Sequence, residues 1–166
     1  MDEARGAWLE QAMEAHEAAL LRLCFVCLGD AGLAEDAVQE TFVKAYKGFD
    51  RYRRESSERT WLTRIALNVC RDMQRSGWFR HIDRNTALDS LPEGSAPFTE
   101  RDDTLTRAVM ALKPKLRDVV LLHDGQGMTA EETAEALGIA RSTMYYRLEK
   151  AHRWLRKELE AWYHDR

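Results

Sequence analysis

Trp61, Arg64, Asn68, Arg71 and Arg75 recur at steps of three and four residues. On a helix that spacing puts an indole, an amide and three guanidinium groups on one face. Guanidinium groups neutralise phosphates and so give a salt-dependent affinity for nucleic acid. An aromatic ring stacks on an unpaired base. An asparagine amide offers a paired donor and acceptor to a base edge. The set suits single-stranded or melted DNA better than a closed duplex. A solvated arginine face beside a core tryptophan has the same spacing, and the stripe alone does not separate the two readings.

A second constellation lies between Met128 and His152. Thr129 with Glu132 forms a capping box, which predicts a helix from Ala130. Gly138 follows Leu137 and is free to take the positive φ that ends it. Met144, Leu148, Ala151 and Leu155 then share one face of a longer helix. Ala134 is small enough for the two helices to cross closely. Short helix, glycine turn and long helix make a helix-turn-helix, whose second helix enters a DNA major groove. An ordinary helical hairpin is the plainer alternative.

The elements that must position these groups follow from periodicity. A first helix is expected over Ala7 to Leu28, with Met13, Leu20, Leu23, Cys24 and Cys27 inward and Gly29-Asp30 at its end. A second starts near Ala34 and stops at Gly48, with Val38, Phe42, Ala45 and Phe49 as its apolar stripe. A basic loop from Arg51 to Glu58 leads to a third helix from Thr60 to about Arg75, whose core stripe is Leu62, Ile65, Val69 and Met73. Gly77, Pro92, Gly94 and Pro97 then interrupt a stretch poor in apolar residues, which reads as a flexible linker over 78–102. Trp78 and Phe79 are large for a free linker. Leu105, Val109 and Leu112 mark one short helix before Pro114, and Leu116, Val119, Val120 and His123 mark the next. No strand pattern or internal repeat is visible. The fold class is all-α: two small helical domains, 1–77 and 103–166, joined by that linker.

Composition narrows the function. The 166 residues are 45% hydrophobic and carry a formal net charge of -3, unlike a protein that coats DNA generally. Charge is local instead. Arg51, Arg53, Arg54, Arg59, Arg64, Arg71 and Arg75 crowd one stretch, and Asp30, Glu35, Asp36 and Glu40 another. Such a chain binds DNA weakly alone and well when a larger partner adds contacts. No apolar run is long enough to cross a membrane and no signal peptide is expected. Cys24 and Cys27 lie one turn apart in an apolar run, with Cys70 distant. A redox pair or half a metal site has that spacing, but no second Cys/His pair completes it, which favours core cysteines in a reducing cytoplasm. No metal or cofactor is expected. An enzyme built on His16, His81, His123, His152 or His164 finds no partner at metal or triad spacing.

The order of these motifs resembles the extracytoplasmic-function (group IV) RNA polymerase sigma factors of the sigma-70 family. Residues Ala34 to Tyr46 resemble the family's region 2.2, and Thr60 to Asp72 its regions 2.3 and 2.4. Leu112 to Leu122 resemble the opening of region 4, which the helix-turn-helix closes. The resemblance implies a non-enzymatic, cytoplasmic protein that binds core RNA polymerase and directs promoter-specific transcription initiation. It implies sigma region 2 on the β′ clamp helices, through Asp36, Gln39, Glu40 and Lys44, and region 4 on the β flap. It implies opening of the −10 element, with a flipped base held by Tyr52, Trp61 and Asn68 under the Arg53–Glu58 loop, and with Arg53, Arg54, Arg64, Arg71 and Arg75 on the DNA. It implies −35 contacts from the helix-turn-helix through Arg141, Ser142, Thr143, Tyr145, Tyr146, Arg147 and Lys150. An anti-sigma factor is a further implied partner, and direct membrane insertion is not.

The chain departs from the family pattern in places. Tyr145 and Tyr146 stand where a basic residue and a serine are usual, and Glu149 where a basic or aromatic one is common. Ala140 replaces a polar helix cap, and Thr133 an apolar residue. Arg53-Arg54-Glu55 occupies a loop where a glycine is common. The two tyrosines either face DNA or pack inward beside Met144. A helix-turn-helix regulator that works without polymerase explains Met128 to His152 and leaves the Trp61/Asn68 face unused.

Overall fold

The computed structural model describes residues 2–76 and 100–164. These form helices, one 3-10 turn and one π-helical turn, with no strand among the described residues. The chain divides into two compact units, Met1–Leu91 and Pro92–Arg166. Residues 78–99 of the expected linker, with Trp78, Phe79 and His81, lie outside the described residues.

Among the described residues the first unit is three helices and a 3-10 turn. α1 spans Asp2–Leu28, with Asp2 and Glu3 complementing the dipole at its first turn. It begins ahead of the expected Ala7. Its inward face runs through Trp8, Ala12, His16 and Leu20, and from Leu23 to Leu28 it is buried on all sides. Met13 is not on that face. It sits one residue off the stripe and is 36% exposed. Gly29 takes φ 73 and its N–H returns to the Phe25 carbonyl, ending the helix. Asp30 then caps α2, Ala31–Lys47, accepting from the Leu33 N–H at 2.8 Å. That cap starts α2 earlier than the expected Ala34.

Ala34, Ala37 and Ala45 are fully buried on α2, and such small side chains let helices approach closely. Phe49 lies beyond α2, in the 3-10 turn Phe49–Arg51, and is half-buried. α3 spans Glu58–Arg75. It begins at Glu58 and not at Thr60, because Ser57 accepts the Thr60 N–H at 3.1 Å. Leu62, Ala66, Val69 and Cys70 fill the core, while Ile65 and Met73 are only half-buried. Gln74 Nε2 donates to the Cys27 carbonyl at 3.0 Å and ties the end of α3 to the end of α1. All three cysteines are buried and none is in a disulfide, as core residues should be.

Among its described residues the second unit has four α-helices. α4 spans Glu100–Ala111 and α5 Pro114–Val120. α4 starts ahead of Asp103, since Glu-Arg-Asp-Asp supplies the acidic first turn a helix favours. Its buried stripe is Thr106, Val109 and Met110, which leaves Leu105 45% exposed and not in the core. Pro114 opens α5 at a position that needs no N–H. One π-helical turn, Leu121–Gly125, follows. It swings His123 out of the expected core stripe to a half-buried place at the surface.

α6 is Ala130–Leu137 and α7 is Arg141–His164. The capping box of Thr129 and Glu132 is complete in both directions. Gly138 takes φ 66, and the Ile139 N–H reaches the Ala134 carbonyl at 3.0 Å. Met144, Leu148, Ala151 and Leu155 are buried. Thr133 is buried in place of an apolar residue, with its hydroxyl donating to the Thr129 carbonyl at 2.8 Å. Arg117 is 2% exposed, and its Nε lies 3.9 Å from Asp118 Oδ1.

Candidate nucleic-acid interface

The first unit presents three surfaces. On α3, Arg64, Asn68 and Arg75 are exposed, and Trp61 and Arg71 are half-buried. The helix therefore does hold one polar stripe with an aromatic at its start. Arg75 Nη1 lies 3.7 Å and Lys44 Nζ 3.9 Å from the carboxylate of Asp72, which links the end of this stripe to α2.

The second surface is the loop before α3. Tyr52 stacks on Trp61, with ring centroids 4.4 Å apart and planes at 15°. Its hydroxyl donates to the Ser56 carbonyl at 2.7 Å. Burial holds this phenol above its ordinary pKa, the Glu58 charge adds to the shift, and Arg54 opposes it. Arg54 itself takes φ 58, the left-handed region where a glycine would be unstrained.

Of Tyr52, Trp61 and Asn68, the structure brings the first two rings together and sets Asn68 further along the same face of α3. The Tyr52–Trp61 stack fills the space between those rings. Asn68 is seven residues beyond Trp61, about 10 Å along the helix. A cavity of about 600 Å³ opens instead among Trp8, Phe49, Asp50, Tyr52, Arg54 and Glu58. Trp8 and Phe49 make a tilted pair at 4.8 Å. Glu58 accepts the Trp8 indole N–H at 2.6 Å on one oxygen and His16 Nε2 at 2.9 Å on the other. Asp50 pairs with Arg5, whose guanidinium also lies over the Tyr46 and Phe49 rings.

Sequence reasoning overlooks Trp8, Phe49 and Asp50 as members of this cavity, and has Glu58 only as the end of the loop above it. Trp8 and Glu58 are 50 residues apart, and only tertiary packing joins them. The one local signal is a lone indole in the first two turns of α1, among small and charged residues.

The third surface is α2. Asp36, Gln39, Glu40 and Lys44 are all exposed, opposite buried Val38 and Phe42. Beside them Met13 and Val43 border an apolar groove floored by Val38 and Phe42.

In the second unit, α7 turns Tyr145 and Tyr146 outward, 55% and 65% exposed. Neither packs beside Met144. Arg141, Ser142 and Lys150 are exposed on the same helix, and Thr143 and Arg147 are half-buried. Lys150 Nζ sits 6.0 Å from the Tyr146 ring centroid. Arg141 pairs with Glu131 across the turn at 3.0 Å, and Glu149 with Arg153 at 3.0 Å. Ala140 supplies only its carbonyl, to the Met144 N–H at 3.0 Å. His152 Nε2 and His123 Nδ1 converge on Asp124, at 2.5 and 2.9 Å, tying the π-helical turn to α7. A separation of 28 residues hid that pairing in the sequence.

Comparison with known proteins joins the two units. Residues 12–80 match sigma-70 region 2 and residues 102–155 match sigma-70 region 4. The chain is 32% identical over 163 residues to the ECF RNA polymerase sigma factor SigL of Mycobacterium tuberculosis, covering 95% of this chain and 92% of that one. It is 33% identical over 133 residues to the RNA polymerase sigma factor YlaC of Bacillus subtilis, covering 76% and 77%. Among solved structures, CnrH in complex with the cytosolic domain of CnrY is similar at a TM-score of 0.72 and 25% identity, over 92% of this chain and 88% of that one. RpoE of Bartonella quintana, solved with the anti-sigma factor NepR, shares the fold at a TM-score of 0.73 and 22% identity, over 91% and 96%.

Proposed function

The chain belongs to the extracytoplasmic-function RNA polymerase sigma factors, which direct polymerase to initiate at specific promoters, and from that premise we propose how its residues divide the work. The regulator that acts without polymerase is set aside, since both family regions match. Residues 1–77 serve as region 2, 78–99 as linker and 100–166, from the start of α4, as region 4. The protein works in the cytoplasm, needs no cofactor or metal and catalyses no reaction of its own.

The −10 element is opened by the first unit. Arg64, Arg71 and Arg75, with Arg53 and Arg54 from the loop, hold phosphates, and Asn68 reads a base edge. Trp61, braced by Tyr52, meets the end of the duplex where strands part. An unstacked base is a few kcal/mol uphill, and the phosphate and polymerase contacts offset that. The observation that carries this reading is an aromatic cavity next to an exposed arginine and asparagine face. The −35 element is read by Arg141, Ser142, Thr143, Tyr145, Tyr146, Arg147 and Lys150.

Asp36, Gln39, Glu40 and Lys44 dock on the β′ clamp helices of core polymerase, while region 4 meets the β flap. An anti-sigma factor is a further partner, in keeping with the similar chain CnrH, which is held by the cytosolic domain of CnrY. Asp36→Lys with Glu40→Lys tests the docking face. The expected result is weakened capture of core polymerase in a pull-down with the fold intact by circular dichroism. Intact capture with loss of promoter binding alone contradicts the assignment.

A further inference from the structure

Glu58 lines the cavity in front of α3. Its carboxylate is held from both sides, by Trp8 Nε1 at 2.6 Å and His16 Nε2 at 2.9 Å. A carboxylate has about four lone-pair sites, so these two bonds leave acceptor capacity directed elsewhere. The other carboxylate on the cavity, Asp50, is paired with Arg5. The walls are the rings of Trp8, Phe49 and Tyr52. The Tyr52 hydroxyl hydrogen is committed to the Ser56 carbonyl, and the Trp8 N–H to Glu58. Arg54 is the one cationic group lining the cavity among the described residues, and it is exposed.

The cavity thus offers aromatic surface, a fixed acceptor and a cation. A nucleotide matches each of them: base on ring, base donor on carboxylate, phosphate on guanidinium. The volume of about 600 Å³ admits a single base with room for its sugar. The bases differ in what they show a fixed acceptor. Adenine, cytosine and guanine each carry an exocyclic amine. Thymine has none, and its carbonyls flank a lone imino N–H, so a carboxylate meets acceptors on either side of one donor.

We propose that Glu58 is a specificity-determining residue, which makes this cavity accept an unstacked base bearing an exocyclic amine and reject thymine. The proposal rests on the reading that region 2 captures a −10 base. His16 acts as a positioning residue, since it fixes the carboxylate from outside the cavity, while Trp8 both fixes the carboxylate and offers its ring as a wall.

The test uses the full chain with core RNA polymerase and a promoter library randomised across the −10 element. One position of the non-template strand should be depleted of thymine by about tenfold, the size of one lost base contact. Glu58→Gln, which replaces one acceptor oxygen by a donor NH2, should restore thymine at that position and no other. A second arm needs no variant. With 5-methylcytosine at that position the wild-type protein should transcribe about tenfold better than with thymine, because the methyl group is shared and the amine is not.

Equal transcription from 5-methylcytosine and thymine overturns the proposal, as does thymine depletion that survives Glu58→Gln. Absence of any thymine-depleted position also overturns it. A 2-aminopurine probe at the position separates this from failure of base capture itself. If its fluorescence does not rise on promoter opening, no base is unstacked there and the capture reading falls. If it rises while Glu58→Gln leaves the base preference unchanged, only the role of Glu58 falls.

Discussion

The rings of Tyr52 and Trp61 lie face to face, 4.4 Å apart at 15°. This stack joins the loop before α3 to the first turn of that helix, so the loop is a braced edge and not a free flap. Tyr52→Phe keeps the stack and removes one hydrogen bond, to the Ser56 carbonyl, at about 1 kcal/mol. Tyr52→Ala removes both and should lower stability by about 2 kcal/mol. Thermal denaturation orders the two variants. Equal losses would mean that the stack contributes nothing.

The same tyrosine gives a pH prediction. Its phenol pKa is raised by burial first, then by Glu58, against Arg54. The neutral phenol is therefore favoured in the fold. That stabilisation is complete below the ordinary value of about 10 and disappears as pH rises through the higher folded value. In an alkaline absorbance titration the phenolate step lost in Tyr52→Phe should come above the ordinary tyrosine value of about 10. A Tyr52 step at or below that ordinary value contradicts the environment described.

Arg54 sits at φ 58, where a side chain is strained by about 1–2 kcal/mol. Arg54→Gly should leave stability unchanged or slightly raised, because relief of strain is offset by the greater freedom of glycine when unfolded. Arg54→Val should destabilise by about 1–2 kcal/mol. Urea unfolding measures both. If glycine destabilises as much as valine, the guanidinium and not the backbone sets stability there. In either case Arg54→Gly should weaken DNA binding, by loss of a phosphate partner.

Tyr145 and Tyr146 lie on the open face of α7. Their alanine variants should change stability by less than about 0.5 kcal/mol while shifting the preferred −35 bases in a randomised-promoter assay. With tyrosines and Glu149 in place of basic groups, the salt dependence of −35 binding should be shallower than in a more basic relative. A marked loss of stability with unchanged −35 preference would put the rings in the core.

Local patterns were legible and long-range ones were not. The capping box at Thr129, the turn at Gly138 and the stripe Met144–Leu155 involve neighbours within a few turns, and the structure has them as read. Errors of phase came where two stripes compete. Met13 and Leu105 each lie one residue off the buried face, a rotation of about 100° that pattern alone resolves poorly. Helix starts moved because Asp30 and Ser57 are caps, a signal present in the sequence and passed over. Of the cavity, the loop side with Tyr52, Arg54 and Glu58 was legible from the resemblance, and the side made by Trp8, Phe49 and Asp50 was not. It needs Trp8 beside Glu58 and Phe49 beside Trp8, contacts set by packing of α1 across the loop. The inserted residue of the π-helical turn, which moves His123 outward, likewise leaves no periodic trace.

The central claim is that this chain opens promoters with polymerase, through the Trp61 and Asn68 face. Permanganate footprinting of reconstituted holoenzyme, on promoters found by sequencing transcripts after overexpression, tests it most directly. The wild-type chain should make thymines in and downstream of the −10 element reactive, only when core polymerase is present. Trp61→Ala should abolish that reactivity while core binding persists, and Asn68→Ala should relax base choice at one −10 position by roughly 1–3 kcal/mol. Full reactivity and unchanged base preference in both variants, or sequence-specific DNA binding that does not need core polymerase, would contradict the account.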